Sequence, residues 1–161
     1  MKHNLVKELM TTPAISCETS VSLKEVVDIM KEKNIGFLPI TKNNIIVGVV
    51  TDRDILVRAF GIYKSSTKIK KVMTNGEIYF VDENTSLIDA AKMMSKQKIR
   101  RLVVLKDGKV HGVITTKNLL NEPTLFPYIA QTYHSNPTLK PYSIYMNSNP
   151  HDSIKAPDFP L

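Results

Sequence analysis

The chain repeats itself. A shift of 64 residues lays Ser22–Leu56 on Ser86–Leu120 without a gap, and 10 of the 35 aligned positions are identical. A second block, Val6–Thr11, matches Ile69–Thr74 at a shift of 63. The unit is longer than the ~20–50 residues of most solenoid repeats and occurs only twice, so it predicts two related halves rather than an array. The reading divides the chain into a first unit at 1–60, a linker at 61–68, a second unit at 69–120 and a tail at 121–161.

Each half spells the same elements. A short apolar strand comes first, at Ile15–Cys17 and at Ile78–Val81. A helix follows. Ser22 and Glu25 have capping-box spacing, in which each side chain satisfies a backbone N–H of the other; Ser86 and Asp89 offer the same with a shorter acid. Leu23, Val26, Val27 and Met30 then form an apolar stripe, repeated by Leu87, Ala90, Ala91 and Met94. Two strands joined by a polar turn complete the half, and Asp107-Gly108 is a hairpin signal. A second helix starts near Asp52 and near Thr116. The order strand, helix, strand, strand, helix predicts an α+β fold whose two small sheets each need the other half to cover their apolar surface.

With 161 residues, 42% of them hydrophobic, the chain can bury a core and is too apolar to be disordered. No apolar run approaches the ~18 residues that would span a bilayer, and the first residues are polar where a signal peptide is apolar. No membrane insertion and a cytoplasmic location are expected. Cys17 is the only cysteine, which excludes an internal disulfide, and the four histidines have no metal-ligand spacing. No metal site and no required cofactor are expected. The net charge of +7 favours anionic partners without choosing among nucleotides, nucleic acid and acidic lipid. The tail holds seven of the nine prolines and six of the eleven aromatics, with no helical or strand period. It reads as a flexible extension or as a segment lying over the body, a second subunit or a protein partner.

The chemistry concentrates where a strand ends at a threonine and a helix begins, in Gly48–Asp54 and Gly112–Asn118. A helix N-terminus presents unpaired N–H groups and partial positive charge, which favours a phosphate. Thr51 and Thr115 supply hydroxyls there, and Arg53 and Lys117 add charge. Asp54 suits the vicinal hydroxyls of a ribose. The same residues would equally serve as plain helix caps. Arg100 and Arg101, at a strand start, are candidates for a polyphosphate clamp. The first half has Gly36 and Phe37 at these places. Gly36 permits close backbone approach, and Phe37 either packs in the core or walls off a base.

These marks together, with Met10-Thr11 and Met73-Thr74 opening the units and Leu38-Pro39-Ile40 within the first, resemble a tandem pair of cystathionine-β-synthase (CBS) domains, a Bateman module, over residues 5–120. The resemblance implies two pseudo-symmetric units packed through their sheets, with two clefts between them that bind adenine nucleotides (AMP, ADP or ATP) or S-adenosylmethionine. It also implies pairing into disc-shaped homodimers and a sensing rather than catalytic role. By resemblance, Asp54 would hold ribose, Thr51 phosphate or ribose, and backbone near Thr12, Ala14, Ile15, Ile35 and Gly36 the adenine. Ile78, Ile99, Arg100, Arg101, Thr115 and Lys117 would take the matching places in the second cleft, with Arg101 on phosphate. Asn118 stands where the family has an acid, so the second cleft loses a charge on ribose. Val103 stands where the pattern has proline. Nucleic-acid binding through the basic surface is the alternative of a different class; an enzyme is not expected, since no phosphate-binding loop and no nucleophile paired with a base are present.

Overall fold

A computed structural model describes residues 3–133. Each half forms a three-stranded sheet. In the first, β1 (Cys17–Glu18) pairs parallel with β2 (Phe37–Lys42), and β2 pairs antiparallel with β3 (Ile45–Thr51). Helix α1 (Leu23–Lys33) provides the crossover from β1 to β2. In the second, β4 (Phe80–Asp82), α3 (Leu87–Gln97), β5 (Arg101–Lys106) and β6 (Lys109–Thr115) repeat the arrangement. Short helices follow β3 and β6: α2 (Asp52–Asp54), continued by a π-helical turn at Ile55–Ala59, and α4 (Thr116–Leu119). The α+β pair of units expected from the repeat is therefore the architecture observed.

Local chemistry explains these elements. Ser22 caps α1, its hydroxyl accepting from Glu25 N at 3.2 Å while Glu25 accepts from Ser22 N at 2.6 Å. The Ser22 hydroxyl and N–H together hold the Glu25 carboxyl below its ordinary pKa. Ser86 caps α3 in the same way, but Asp89 returns a bond only to its hydroxyl, as the shorter acid predicts. Both hairpins turn on two residues of positive φ, Asn43-Asn44 and Asp107-Gly108, which matches the right-handed twist of the flanking strands. Even the irregularity in register repeats, at Ile40/Thr41 and at Val104/Leu105.

The segments leading into each unit pack crosswise. Val6, from the first lead-in, is fully buried in the core of the second unit beside Leu87, Ala91 and Leu102. Ile69 and Val72, from the second lead-in, are buried in the core of the first unit beside Val26, Leu38 and Val50. Backbone bonds extend the exchange: Thr11 and Val113 bond reciprocally at 2.9 and 3.0 Å, and Val49 and Thr74 at 2.9 and 2.8 Å. Each lead-in thus forms an isolated bridge to the outer strand of the other unit's hairpin.

The sequence pattern predicts no regular element after residue 121, but the structure has one, α5 (Phe126–Tyr133), entered through a 3-10 turn at Pro123–Leu125. Leu125 and Ile129 are buried in the second core, and α5 lies along α3. The helix is too short to carry a clear apolar period: within it Ile129 is buried in the core and Tyr128 packs against it. The equivalent positions Val27 and Ala91 record the consequence. Ala91 is buried beneath α5, whereas Val27, expected in the stripe, is 41% exposed. Among the described residues, no helix is long and apolar enough to cross a membrane.

Candidate functional site

The two strand–helix junctions have the same geometry. Thr51 ends β3 in extended conformation, and its hydroxyl accepts from Asp54 N at 3.0 Å. Asp54 Oδ2 in turn accepts from Thr51 N at 2.8 Å and from the Thr51 hydroxyl at 2.7 Å. Asp54 is buried, with Arg58 Nη2 3.5 Å from its other oxygen. Arg58 also donates to the Thr74 hydroxyl at 3.0 Å, so the junction is tied to the second lead-in. In the second half, Asn118 Oδ1 accepts from Thr115 N at 2.8 Å and from its hydroxyl at 2.7 Å. The amide oxygen reproduces the carboxylate's role without its charge. Both threonines therefore act as helix caps here, which was the plainer of the two readings their position allowed.

A cleft of about 190 Å³ lies between the units. Thr11, Pro13, Ala14 and Ile15 line one side, Ile35, Gly36 and Phe37 another, and Arg101, Val113 and Thr115 the third. The crosswise lead-in builds it. Ala14 N bonds His111 O at 2.9 Å just past the Thr11–Val113 pair, which carries the chain from the second sheet back to the first. Gly36 is held by Asp52 N, which donates to its carbonyl at 3.4 Å. A Cβ at position 36 would lie 2.5 Å from Asp52 Oδ2, so a side chain there would displace that carboxylate.

Seven of the residues proposed from sequence come together in this cleft: Ala14, Ile15, Ile35, Gly36, Phe37, Arg101 and Thr115. The grouping differs from the expected one. Arg101 and Thr115, assigned to a second cleft, join the first-unit residues because the units meet through β3 and β6 and exchange their lead-ins. Arg101 places its guanidinium 5.8 Å from the Phe37 ring centre, and it is the one charged side chain among the lining residues. Thr12, Thr51, Arg53, Asp54, Ile78, Ile99, Arg100, Lys117 and Asn118 are not among those residues. Thr12 instead donates to His111 O at 3.1 Å, Ile99 packs on the second core, and Arg53 and Lys117 are exposed.

The arginine pair does not converge. Arg100 lies over the Tyr133 ring at 5.8 Å, while Arg101 turns to Phe37. Arg100 precedes β5 and Arg101 opens it, and the two side chains lie on different rings, so one ligand does not meet both guanidiniums in this geometry. Sequence reasoning missed Thr11, Pro13 and Val113. Val113 was within reach, since it alternates with Thr115 on one face of β6.

Comparison with known proteins agrees with this architecture. The CBS domain family matches residues 6–61 and 69–124. The CBS domain-containing protein YhcV of Bacillus subtilis is 30% identical over 115 residues, covering 71% of this chain and 81% of that protein. Inosine-5'-monophosphate dehydrogenase of Staphylococcus aureus is 34% identical over 116 residues, but the match covers only 23% of the enzyme. The crystal structure of the CBS domain protein NE2398 superposes with a TM-score of 0.67 at 27% identity, covering 74% of this chain and 98% of that one. The CBS domain pair of MJ0100, solved in complex with 5'-methylthioadenosine and S-adenosyl-L-methionine, gives 0.64 at 28% identity, covering 73% and 93%. With two matched units, crossed lead-ins and a cleft between the sheets, the chain belongs to the CBS domain family as a tandem pair.

Proposed function

We propose that this chain is a regulatory, non-catalytic module that binds an adenine nucleotide in the cleft between its units. The observation that carries this reading is the convergence of Arg101 and Thr115 on the apolar walls of Ala14, Ile15 and Ile35. An adenine ring suits those walls, with the Gly36 backbone at its edge. The cleft's volume of about 190 Å³ is below the ~300 Å³ at which drug-sized ligands become fully enclosed. Base and ribose therefore fill it, and phosphates extend along Arg101.

S-adenosylmethionine is the second reading, supported by the ligands of the MJ0100 structure. A sulfonium cation would face the Arg101 guanidinium, which favours phosphate esters over it. The response would pass to a second copy of the chain or to a partner protein, for which Leu56, Val57, Phe60 and Ile62 offer an exposed apolar surface.

Isothermal titration with AMP, ADP, ATP and S-adenosylmethionine tests the reading, on the wild-type chain and on Arg101→Ala. A nucleotide is expected to bind, and Arg101→Ala to weaken it about tenfold or more, the loss typical of a charge-assisted bond. Equal affinity in both proteins, or binding of S-adenosylmethionine alone, would remove the nucleotide assignment.

A further inference from the structure

Helix α5 is fastened in two different ways. Its start is anchored by apolar burial, with Leu125 fully buried and Ile129 7% exposed. In its last turn Thr132 is buried, and polar contacts tie the turn to one corner of the second unit. Ser95 Oγ donates to Gln131 Oε1 at 2.6 Å, and Lys98 Nζ donates to Gln131 O at 2.7 Å. The hydroxyls of Tyr133 and Thr116 are 3.1 Å apart. The Tyr133 ring, 58% exposed, carries the Arg100 guanidinium at 5.8 Å.

Position 100 has a meaning in the repeat. The shift of 64 places Arg100 on Gly36, which lines the observed cleft. By the pseudo-symmetry of the halves, Arg100 is the counterpart of a cleft-lining residue that has no side chain. Its guanidinium is drawn outward onto Tyr133.

We propose that the pseudo-symmetric counterpart of the observed cleft, a second cleft beside Arg100, takes a ligand of its own and that α5 regulates it by holding Arg100 on Tyr133. The proposal rests on the nucleotide reading above. A phosphate-bearing ligand in that cleft competes with the ring for the guanidinium, because a phosphate is the stronger partner for arginine than an exposed aromatic face. When the ligand takes Arg100, the last turn of α5 loses one of its few fastenings and opens more often. Occupancy of the second cleft is thereby transmitted to the C-terminal end of α5. By linkage, a partner that captures α5 would raise nucleotide affinity by the same factor.

The test uses the full chain and ATP as the probe, with titration calorimetry and hydrogen exchange of residues 126–133. Tyr133→Leu is expected to tighten ATP binding about two- to five-fold, the worth of an exposed cation–π contact. Tyr133→Phe keeps the ring and loses only the hydroxyl contact with Thr116, so it should tighten ATP binding less than Tyr133→Leu does. In an Arg100→Ala background, Tyr133→Leu should change nothing. ATP should speed exchange at the end of α5 in the wild type and not in Arg100→Ala. If ATP binds and Arg101→Ala weakens it, yet Tyr133→Leu leaves affinity unchanged or acts equally without Arg100, the latch is wrong and the nucleotide reading stands. If ATP does not bind the wild type at all, both fall together.

Discussion

Gly112 lies directly against Met10: a Cβ at position 112 would sit 2.7 Å from Met10 Sδ and 3.0 Å from the Thr11 carbonyl oxygen. Gly48 faces Met73 and Thr74 in the same way, at 2.6 and 3.0 Å. In the sequence, the repeated glycine and the repeated Met-Thr appear as separate marks of a duplicated unit. In the structure, they are the two sides of one contact, made crosswise between the halves.

Gly112→Ala is therefore expected to destabilise the protein by about 1–3 kcal/mol, the usual cost of forcing a methyl into a packed site. Met10 is flexible and can withdraw, but the Thr11 carbonyl is fixed by its bond with Val113 N at 3.0 Å. Urea denaturation of wild type and variant measures the difference. A neutral result would mean that the lead-in shifts freely.

Val6→Ala should cost about 2 kcal/mol, the range for removing buried methyl groups. Its effect should appear in the wrong half by sequence: hydrogen exchange is expected to quicken around Leu87, Leu102 and Ile114, the core it fills, more than around Leu38 and Val50.

Asp54 separates two substitutions. Asp54→Ala removes the acceptor for Thr51 N and its hydroxyl and the carboxylate 3.5 Å from Arg58, so a loss of about 1–3 kcal/mol is expected. Asp54 is buried, so the lost bonds are not replaced by water. Asp54→Asn should cost less than about 1 kcal/mol, because Asn118 shows an amide oxygen making both cap bonds. Thermal melts of both variants distinguish the two. With Asp54→Asn folded, its nucleotide affinity then reports on the carboxylate's charge alone.

Burial pushes the Cys17 thiol up to about 11, with Glu18 and Glu25 adding to it. At pH 8 about one molecule in a thousand would carry the thiolate, so a disulfide reagent should react far more slowly with the native chain than with the urea-unfolded one. The sign for stability follows. The unfolded thiol ionises at about 8.5 and the folded one does not, so this contribution is intact below that pH and is lost as pH rises towards 11.

Ending the chain at residue 121 removes Leu125 and Ile129 from the second core. Such a truncation should lower the melting temperature and loosen α3, so a change in its solution mass would not report on a docking role of the tail alone. Leu125→Ala, expected to cost about 2–5 kcal/mol, isolates the packing effect.

Much of this architecture is local and therefore legible from residue order. Capping pairs, the Asp107-Gly108 turn and the apolar stripes of α1 and α3 each depend on residues within a few positions, and the duplication shows that the pattern is used twice. Three features are decided by contacts between residues far apart, which no local period encodes. The lead-ins exchange halves, so that Arg101 and Thr115 share a cleft with Ala14 and Gly36. Arg100 and Arg101 part company because the two rings that hold them, Tyr133 and Phe37, come from distant parts of the chain. Helix α5 covers α3 and buries Ala91, while Val27 at the same place in the first half remains open to water. Sequence specifies which surfaces are apolar; only the assembled chain decides which of them meet.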